Sequence, residues 1–316
     1  PPTPIPLRLV GSEMCIRDRS NTAVGGYALD ANTTGYSNCA VGKDALTANT
    51  EGFKNTAIGV NALASNQTGD GNTAVGEASL IASLANNNTG VGFRALFSDT
   101  TGDRNVALGV DALKSVVTHS ANTAIGFEAM KLNTADSNTA VGAYAMDSNS
   151  TGGDNTSVGS QSLRANTTGA SNTALGAEAL DTLTTGSSNV AVGSEALDDC
   201  TTGGQNTAVG TQALQTITTV SNQVAVGYQA LKSSTTGGEN VAVGYIALKD
   251  NTTGANNTAL GTFALENNTT GNDNTAIGRN TLAANTTASS NTAVGRDALA
   301  ANTTGSVNVA VGALAL

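Results

Sequence analysis

Apolar and polar residues recur along the chain with a period of seventeen residues that begins at Asn21. The consensus copy reads N-T-A-V-G-x-x-A-L-x-x-N-T-T-G-x-x, and we number its positions 1 to 17 from the Asn. Eighteen copies begin at residues 21, 38, 55, 72, 88, 105, 122, 138, 155, 172, 189, 206, 223, 240, 257, 274, 291 and 308, and those beginning at 72 and 122 have sixteen residues. A short fixed period indicates a repeat protein whose units contact only their neighbours, so length does not predict a domain count.

Positions 2 to 4 of each copy predict a short β-strand, because Thr or Val, Ala and an aliphatic residue suit a pleated surface. Position 4 is aliphatic in every copy, as in Val24, Val41 and Leu108, and is expected to face the core. Position 3, mostly Ala, is then expected on the opposite face of the strand. Gly at position 5 in all eighteen copies indicates a turn with positive φ or a close backbone approach.

Positions 8 and 9, mostly Ala-Leu, predict a second contribution to the core from the far side of this turn. Asn-Thr-Thr-Gly at positions 12 to 15 is typical of a turn, because Asn bonds nearby backbone groups. Both sixteen-residue copies lose their residue in this region, at 84–87 and 133–137. Asn at position 1, replaced only by Gln223, predicts a ladder of carboxamides along the stack.

These patterns predict an all-β fold, a parallel β-solenoid (β-roll) of seventeen-residue coils, each with two short extended segments and two corners. The alternative is a helix-containing repeat, because G-x-x-A-L-x-x-N can form one helical turn. Seven residues between Gly and Asn are too few for a stable helix, which favours the solenoid.

The Ala column at position 3 predicts assembly into a homo-oligomer, with a homotrimer as the expected state. Only Gly90 and Ser157 depart from Ala there, whereas a solvent-facing position would vary in size. Restriction to small side chains therefore suggests that another copy of the chain packs on this face. The alternative is a narrow monomer whose Ala column covers its own corner.

Residues 1–20 share neither the period nor the composition of the rest. Within them, LVGSEMCIRDR (9–19) resembles the translation of a sequencing-library adaptor, so we expect a non-native leader. The alternative is a natural Pro-rich leader. Residues 21–316 are expected to be a single β-solenoid array truncated at both ends, because Leu316 is only the ninth position of its copy.

Composition and charge argue against several function classes. Charged residues make up 12% of the chain and the net charge is −10 without a basic run, so no nucleic-acid partner is expected. No apolar run is long enough for this segment to insert into a membrane. Cys39 and Cys200 lie about nine copies apart, which excludes a disulfide between them. His119 is the only histidine, so we expect no catalytic or metal site, no cofactor and no enzyme.

Seven of the ten aromatic residues lie at positions 6 or 7, beside the Gly at position 5. They form a candidate surface-contact edge for a host-surface glycan or protein: Tyr27, Phe93, Phe127, Tyr144, Tyr228, Tyr245 and Phe263. The alternative is that these rings cap the edge of the coils or bridge subunits.

The segment N-T-A-V-G-x-x-A is similar to the N-S-V-A-I-G-x-x-S motif in head repeats of YadA-like trimeric autotransporter adhesins. The whole unit resembles shaft repeats found upstream of endosialidase-type chaperone domains in phage tail fibres and bacterial surface proteins. The resemblance implies a parallel β-roll, trimeric assembly, adhesion, and an extracellular, cell-surface or virion location. The chain departs from the autotransporter head by its longer step with an added Asn-Thr-Thr-Gly corner.

The resulting hypothesis is a non-enzymatic structural and adhesive fibre segment, the shaft or stalk of a cell-surface adhesin or phage tail fibre. The alternative is an ice-binding β-solenoid, because Thr pairs such as Thr33-Thr34 recur along one line. Adjacent residues on a strand point to opposite sides, so such pairs cannot both face an ice plane, whereas T-x-T can. Thermal hysteresis distinguishes the two.

Overall fold

The computed structural model describes residues 20–316, which form short parallel strands joined by turns and contain no helix. The expected leader lies outside the described residues, apart from Ser20. The chain divides into two compact units, one ending at Ser150 and one running from Thr151 to Leu316.

The first unit contains eight strands, one per coil, each occupying positions 2 to 4 of its copy. Neighbouring strands pair in parallel and equal positions face each other, so that Thr22 pairs with Cys39 and Ala23 with Ala40. The strands are β1 (Thr22–Val24), β2 (Cys39–Val41), β3 (Thr56–Ile58), β4 (Thr73–Val75), β5 (Thr89–Val91), β6 (Val106–Leu108), β7 (Thr123–Ile125) and β8 (Thr139–Val141).

The second unit contains ten strands in the same arrangement, with Val190 of one strand paired to Thr207 of the next. They are β9 (Thr156–Val158), β10 (Thr173–Leu175), β11 (Val190–Val192), β12 (Thr207–Val209), β13 (Val224–Val226), β14 (Val241–Val243), β15 (Thr258–Leu260), β16 (Thr275–Ile277), β17 (Thr292–Val294) and β18 (Val309–Val311). The prediction of an all-β parallel β-solenoid with coils of about seventeen residues is confirmed.

The prediction of a second extended segment in each coil is wrong. Positions 6 to 11 form consecutive turns in the described coils. Their φ is 50° to 60° at position 7 and 47° to 55° at position 9, as at Gln229 and Leu231. Left-handed residues at alternate positions curl the backbone tightly, which brings Leu at position 9 back into the coil.

Gly at position 5 combines both properties predicted from its recurrence. Its φ is 130° to 145° in all eighteen copies, a region that side chains disfavour. A Cβ added at Gly210 would also collide with the carbonyl oxygen of Gly227 in the next coil. The turn and the coil-to-coil spacing therefore both require Gly.

The two faces of the strand are the reverse of those predicted. Ala at position 3 is buried in every coil but the first, whereas the aliphatic side chain at position 4 is partly or largely exposed throughout. A Cβ added at Gly90 would meet Leu80 and Ser79, at positions 9 and 8 of the preceding coil. Leu and Ala from the turn segment therefore fill the coil, leaving room only for a small side chain on the strand side.

Polar substitutions confirm that positions 3 and 8 face each other inside the coil. Ser157 at position 3 and Ser162 at position 8 have their hydroxyl oxygens 2.5 Å apart, and the Ser157 hydroxyl also donates to the carbonyl of Ser162 at 2.9 Å. Ser79 at position 8 donates to the carbonyl of Gly90 at 2.9 Å. Buried hydroxyls at these positions thus have hydrogen-bond partners.

Asn at position 1 forms the predicted ladder, but most of its side-chain hydrogen bonds go to backbone groups and not to other Asn side chains. The Oδ1 atom of Asn189 accepts from the backbone N–H of Asn206 in the next coil at 3.0 Å, while its Nδ2 donates to the carbonyl of Gly203 in its own coil at 2.9 Å. Gln223 preserves the ladder, because its backbone N–H donates to Asn206 Oδ1 at 3.0 Å and its Oε1 accepts from Asn240 at 3.1 Å. Direct Asn-to-Asn side-chain bonds also occur, as between Asn189 and Asn172 at 3.1 Å.

The Asn at position 12 organises the corner as the turn chemistry predicted. Asn66 Nδ2 donates to the carbonyl of Gly69 at 3.0 Å, and Asn66 Oδ1 accepts from the Gly69 backbone N–H at 3.0 Å. The Asn at position 1 normally donates to the carbonyl of the Gly at position 15, which the two sixteen-residue copies lack. In these copies, Asn72 donates instead to the carbonyl of Ala85, and Asn122 donates to the carbonyl of Ala135. The corner thus absorbs the missing residue, and the ladder is retained.

Candidate functional site

The contact edge consists of positions 6 and 7, the first two residues after the Gly at position 5. Six of its seven aromatic rings are 38% to 66% exposed, and Phe263 is half-buried. Position 6 is exposed in most coils, whereas position 7 is mostly half-buried, and Asp111 and Ile246 at position 7 are buried. The rings of this edge are therefore accessible to solvent, whereas parts of position 7 are not.

The rings of the contact edge form separate groups. In the second unit, Tyr228 and Tyr245 are stacked with centroids 5.4 Å apart and an angle of 14°, and Phe263 meets Tyr245 edge-on at 5.7 Å. In the first unit, Phe127 and Tyr144 meet edge-on at 5.3 Å. Within residues 20–316, neither Tyr27 nor Phe93 joins these groups.

Stacking changes what these rings can offer a ligand. The facing surfaces of Tyr228 and Tyr245 contact each other, so the ring edges and hydroxyls are the groups presented between these two coils. The Phe93 ring lies 4.6 Å from the guanidinium carbon of Arg94, a cation–π contact. The rings thus contribute to packing between coils as well as to the surface.

Charged and amide side chains at position 7 form their own ladders beside the rings. In the first unit, Arg94 donates to Asp111 of the next coil at 2.9 Å, and Lys131, at position 10, lies 3.1 Å from Glu128 at position 7 of its own coil. In the second, Gln229 donates to Gln212 at 2.7 Å, and Gln212 donates to Glu195 at 2.8 Å. The edge changes chemistry from coil to coil while its side chains remain mutually bonded.

An acidic stretch of the second unit borders this edge. Partial burial raises the pKa of Asp198 to about 6, with further contributions from the charges of Asp199, Asp181, Glu178 and Glu195. Arg164 pairs with Asp181 at 2.9 Å. Across residues 20–316, no group of His, Cys, Asp and Glu side chains is arranged to hold a metal ion.

The second accessible surface is the strand face, which we define as the outward side chains of positions 2 and 4. Position 2 is Thr in twelve copies, Val in five and Cys39 in one, and position 4 is always Val, Ile or Leu. Position 4 is strongly exposed at Leu108 (47%) and Leu175 (47%). No residue of the strand face is charged.

Sequence reasoning missed the strand face because it assigned the larger apolar residue to the core. The absence of charge at both outward positions was the available signal. It also missed position 16, where Asp, Asn or Ser accepts a backbone N–H from the preceding coil, as Asp70 does from Phe53 at 2.8 Å. Tyr36 and Phe53, also at position 16, stack at 4.8 Å.

The remaining candidate residues lie apart from both surfaces or singly on them. His119 is half-buried in a corner. Cys39, on the strand face, and Cys200, buried, are both free thiols, and burial raises the pKa of Cys200 to about 11. In the part of the chain that the structure describes, no helix is long and apolar enough to cross a membrane.

No protein-family model matches the sequence, and no curated protein matches it.

Proposed function

We propose that this chain is a non-enzymatic structural and adhesive fibre segment, the shaft or stalk of a cell-surface adhesin or phage tail fibre, acting outside the cell as a homotrimer. The observation that supports this proposal is that the buried positions of the coil are nearly constant while positions at its surface vary. Positions 1, 3, 8 and 9 repeat one set of buried contacts, while position 6, exposed in most coils, and position 7, mostly half-buried, change from coil to coil. A uniform scaffold with one variable edge suits a shaft that also makes contacts.

The partner proposed for the contact edge is a glycan or protein of a host surface. Positions 6 and 7 vary from Gly26-Tyr27 through Phe93-Arg94 to Arg279-Asn280, so they carry information that the repeated columns lack. Aromatic and charged side chains together are also enriched where proteins bind tightly. Because the Tyr228 and Tyr245 faces cover each other, we expect contacts through their hydroxyls and ring edges.

The test replaces Tyr228 and Tyr245 with Ser and measures binding to cells and to a glycan array, together with the thermal midpoint. The expected result is at least a tenfold loss of binding, with the midpoint lowered by only a few degrees. The matched control removes the other stacked pair, Tyr36→Ser with Phe53→Ser, which lies at position 16 and should leave binding unchanged. Binding that persists in each folded Tyr228→Ser/Tyr245→Ser molecule would show that the contact edge only packs.

A second candidate function, ice binding, is favoured by one observation about the strand face. Thr at position 2 and Val at position 4 point outward together, so hydroxyls and methyls form a regular array on in-register strands. This array differs from the Thr-Thr corner, where the Thr201 hydroxyl donates to the carbonyl of Thr218 at 3.1 Å. Clear thermal hysteresis of the folded chain would support ice binding, and its absence would leave the fibre proposal in place.

A further inference from the structure

The exposed aliphatic column at position 4 has no explanation within a single chain. Position 4 remains Val, Ile or Leu in all eighteen copies although its side chain faces outward. An exposed position elsewhere in the coil varies freely, since position 6 includes Gly26, Lys43, Phe93 and Arg279. A continuous apolar surface rimmed by polar residues marks an interaction site.

We infer that the strand face is the surface through which copies of this chain pack side by side, with strand faces turned toward one another. The inference deepens the proposed fibre function, on which it rests for its homo-oligomer. It replaces the Ala column as the expected interface, because Ala208 and its equivalents are buried inside their own coils.

The repeat spacing favours a second copy as the occupant. Strands of neighbouring coils lie about 4.8 Å apart, and each presents the same two outward positions. A partner whose contact groups repeat at another spacing would match the strands of one or two coils and then lose register with the rest. A copy of the same chain has the same spacing and can repeat each contact along the whole unit.

Charge also favours self-association. The chain carries a net charge of −10, yet positions 2 and 4 contribute none of it. Two strand faces can therefore approach without placing like charges together, and the carboxylates of the contact edge remain in water. A basic partner would instead be drawn to the acidic stretch around Asp198.

The available area is sufficient for a specific contact. A three-residue strand is roughly 10 Å long and neighbouring strands lie about 4.8 Å apart, so ten strands present a face of roughly 500 Å². Two such faces in contact cover roughly 1,000 Å², the lower bound expected of a specific interface, before the first unit is counted.

The test introduces Val192→Lys, Val226→Lys and Leu260→Lys into the full chain, on alternate coils so that the lysines do not oppose each other. The control, Ser188→Lys with Asn222→Lys and Asn256→Lys, adds the same charge at exposed position 17 of the three preceding coils, where Lys54 shows that Lys is tolerated. Sedimentation velocity at about 50 µM and circular dichroism report association and folding. We expect the unmodified chain and the control to sediment at a multiple of 31.2 kDa, and the strand-face variant as a folded single chain.

A second variant keeps the inference testable if the lysines prevent folding. Val192→Thr, Val226→Thr and Leu260→Thr use a residue common at position 2, and should weaken association at least tenfold while the fold is retained. Sedimentation of the unmodified chain at 31.2 kDa, or unchanged association of the folded Thr variant, would overturn the inference. A single chain with thermal hysteresis would assign the face to ice. Loss of cell binding in the Tyr228→Ser/Tyr245→Ser variant does not depend on these results, so the two proposals fail separately.

Discussion

At the scale of single residues, the interior of each coil depends on small differences between chemically similar side chains. Position 12 is Asn in ten copies, but Asp99 occupies it in the fifth. Asp99 accepts hydrogen bonds from Ser83 at 3.2 Å, Asn88 at 3.1 Å and the Gly102 backbone at 3.1 Å. Despite these donors, burial raises the pKa of Asp99 to about 7.

Asp99 is therefore predicted to make stability depend on pH. Below about pH 4 its carboxyl is protonated in both the folded and the unfolded chain, whereas between pH 4 and its folded pKa of about 7 only the unfolded chain ionises. The free energy of unfolding should fall as pH rises through this window and then level off. Asp99→Asn should remove that loss and stabilise the protein at pH 8 by on the order of 2 to 4 kcal/mol.

Urea unfolding of both proteins from pH 4 to pH 8 checks this prediction. Glu51→Gln, which neutralises an exposed carboxylate in another coil, is the control and should retain the pH dependence. An identical pH slope in Asp99→Asn and the unmodified chain would contradict the assignment of the slope to this buried group.

At the scale of the element, the strand of three residues shows how far sequence reasoning reaches. The period, the strand at positions 2 to 4, the Gly turn and the Asn corner were all predicted, because each recurs at a fixed position with a residue suited to its backbone. Which side of the strand is buried was not. Ala225 and Val226 are both apolar, and the choice between them depends on Leu231 and the buried Asn and Gln side chains already filling the coil.

The contact edge was predicted in its location but only partly in its arrangement. The recurrence of rings beside Gly placed them on one edge, because every coil repeats the same path. Whether Tyr228 and Tyr245 stack or stand apart depends on side-chain rotation, about which the period carries no information.

The reversed strand faces lead to a direct prediction. Ala225→Leu should lower the free energy of unfolding by about 1 to 3 kcal/mol or more, because the added atoms overpack a filled interior. Val226→Leu, at the next residue, should change stability by less than about 0.5 kcal/mol, because that side chain faces outward and Leu175 and Leu260 already occupy equivalent positions. Thermal midpoints compare the two, at a concentration where their state of association is the same. Equal losses of stability in the two variants would contradict the burial of position 3 and the exposure of position 4.

At the scale of the whole molecule, stability comes from contacts between neighbouring coils. In the second unit, Asn240 donates its backbone N–H to Gln223 Oε1, and Asn257 donates in the same way to Asn240 Oδ1 at 2.9 Å. Equivalent atoms recur one coil later, so a coil is an interchangeable part.

Deletion of residues 240–256, one complete coil, should therefore leave a folded protein. Asn257 would then occupy the place of Asn240 and donate to Gln223, and we expect the β-type circular dichroism spectrum to persist with a thermal midpoint within a few degrees. Deletion of residues 240–247 removes fewer residues but breaks the register, and should cost far more stability. If the shorter deletion were the better tolerated, coil-to-coil register would not be what holds the unit together.

The direction of the backbone hydrogen bonds gives the stacked coils of each unit a distinctive response to force. Bonds such as Thr207 N–H to Gln223 C=O, 2.8 Å long, link successive coils along the direction in which the coils are stacked. A pull along that direction opens these bonds one coil at a time instead of shearing many coils together. Each coil that peels away releases seventeen residues, roughly 50 Å of slack chain. Under tension, a unit built this way would lengthen in nearly equal steps and dissipate a sudden load gradually.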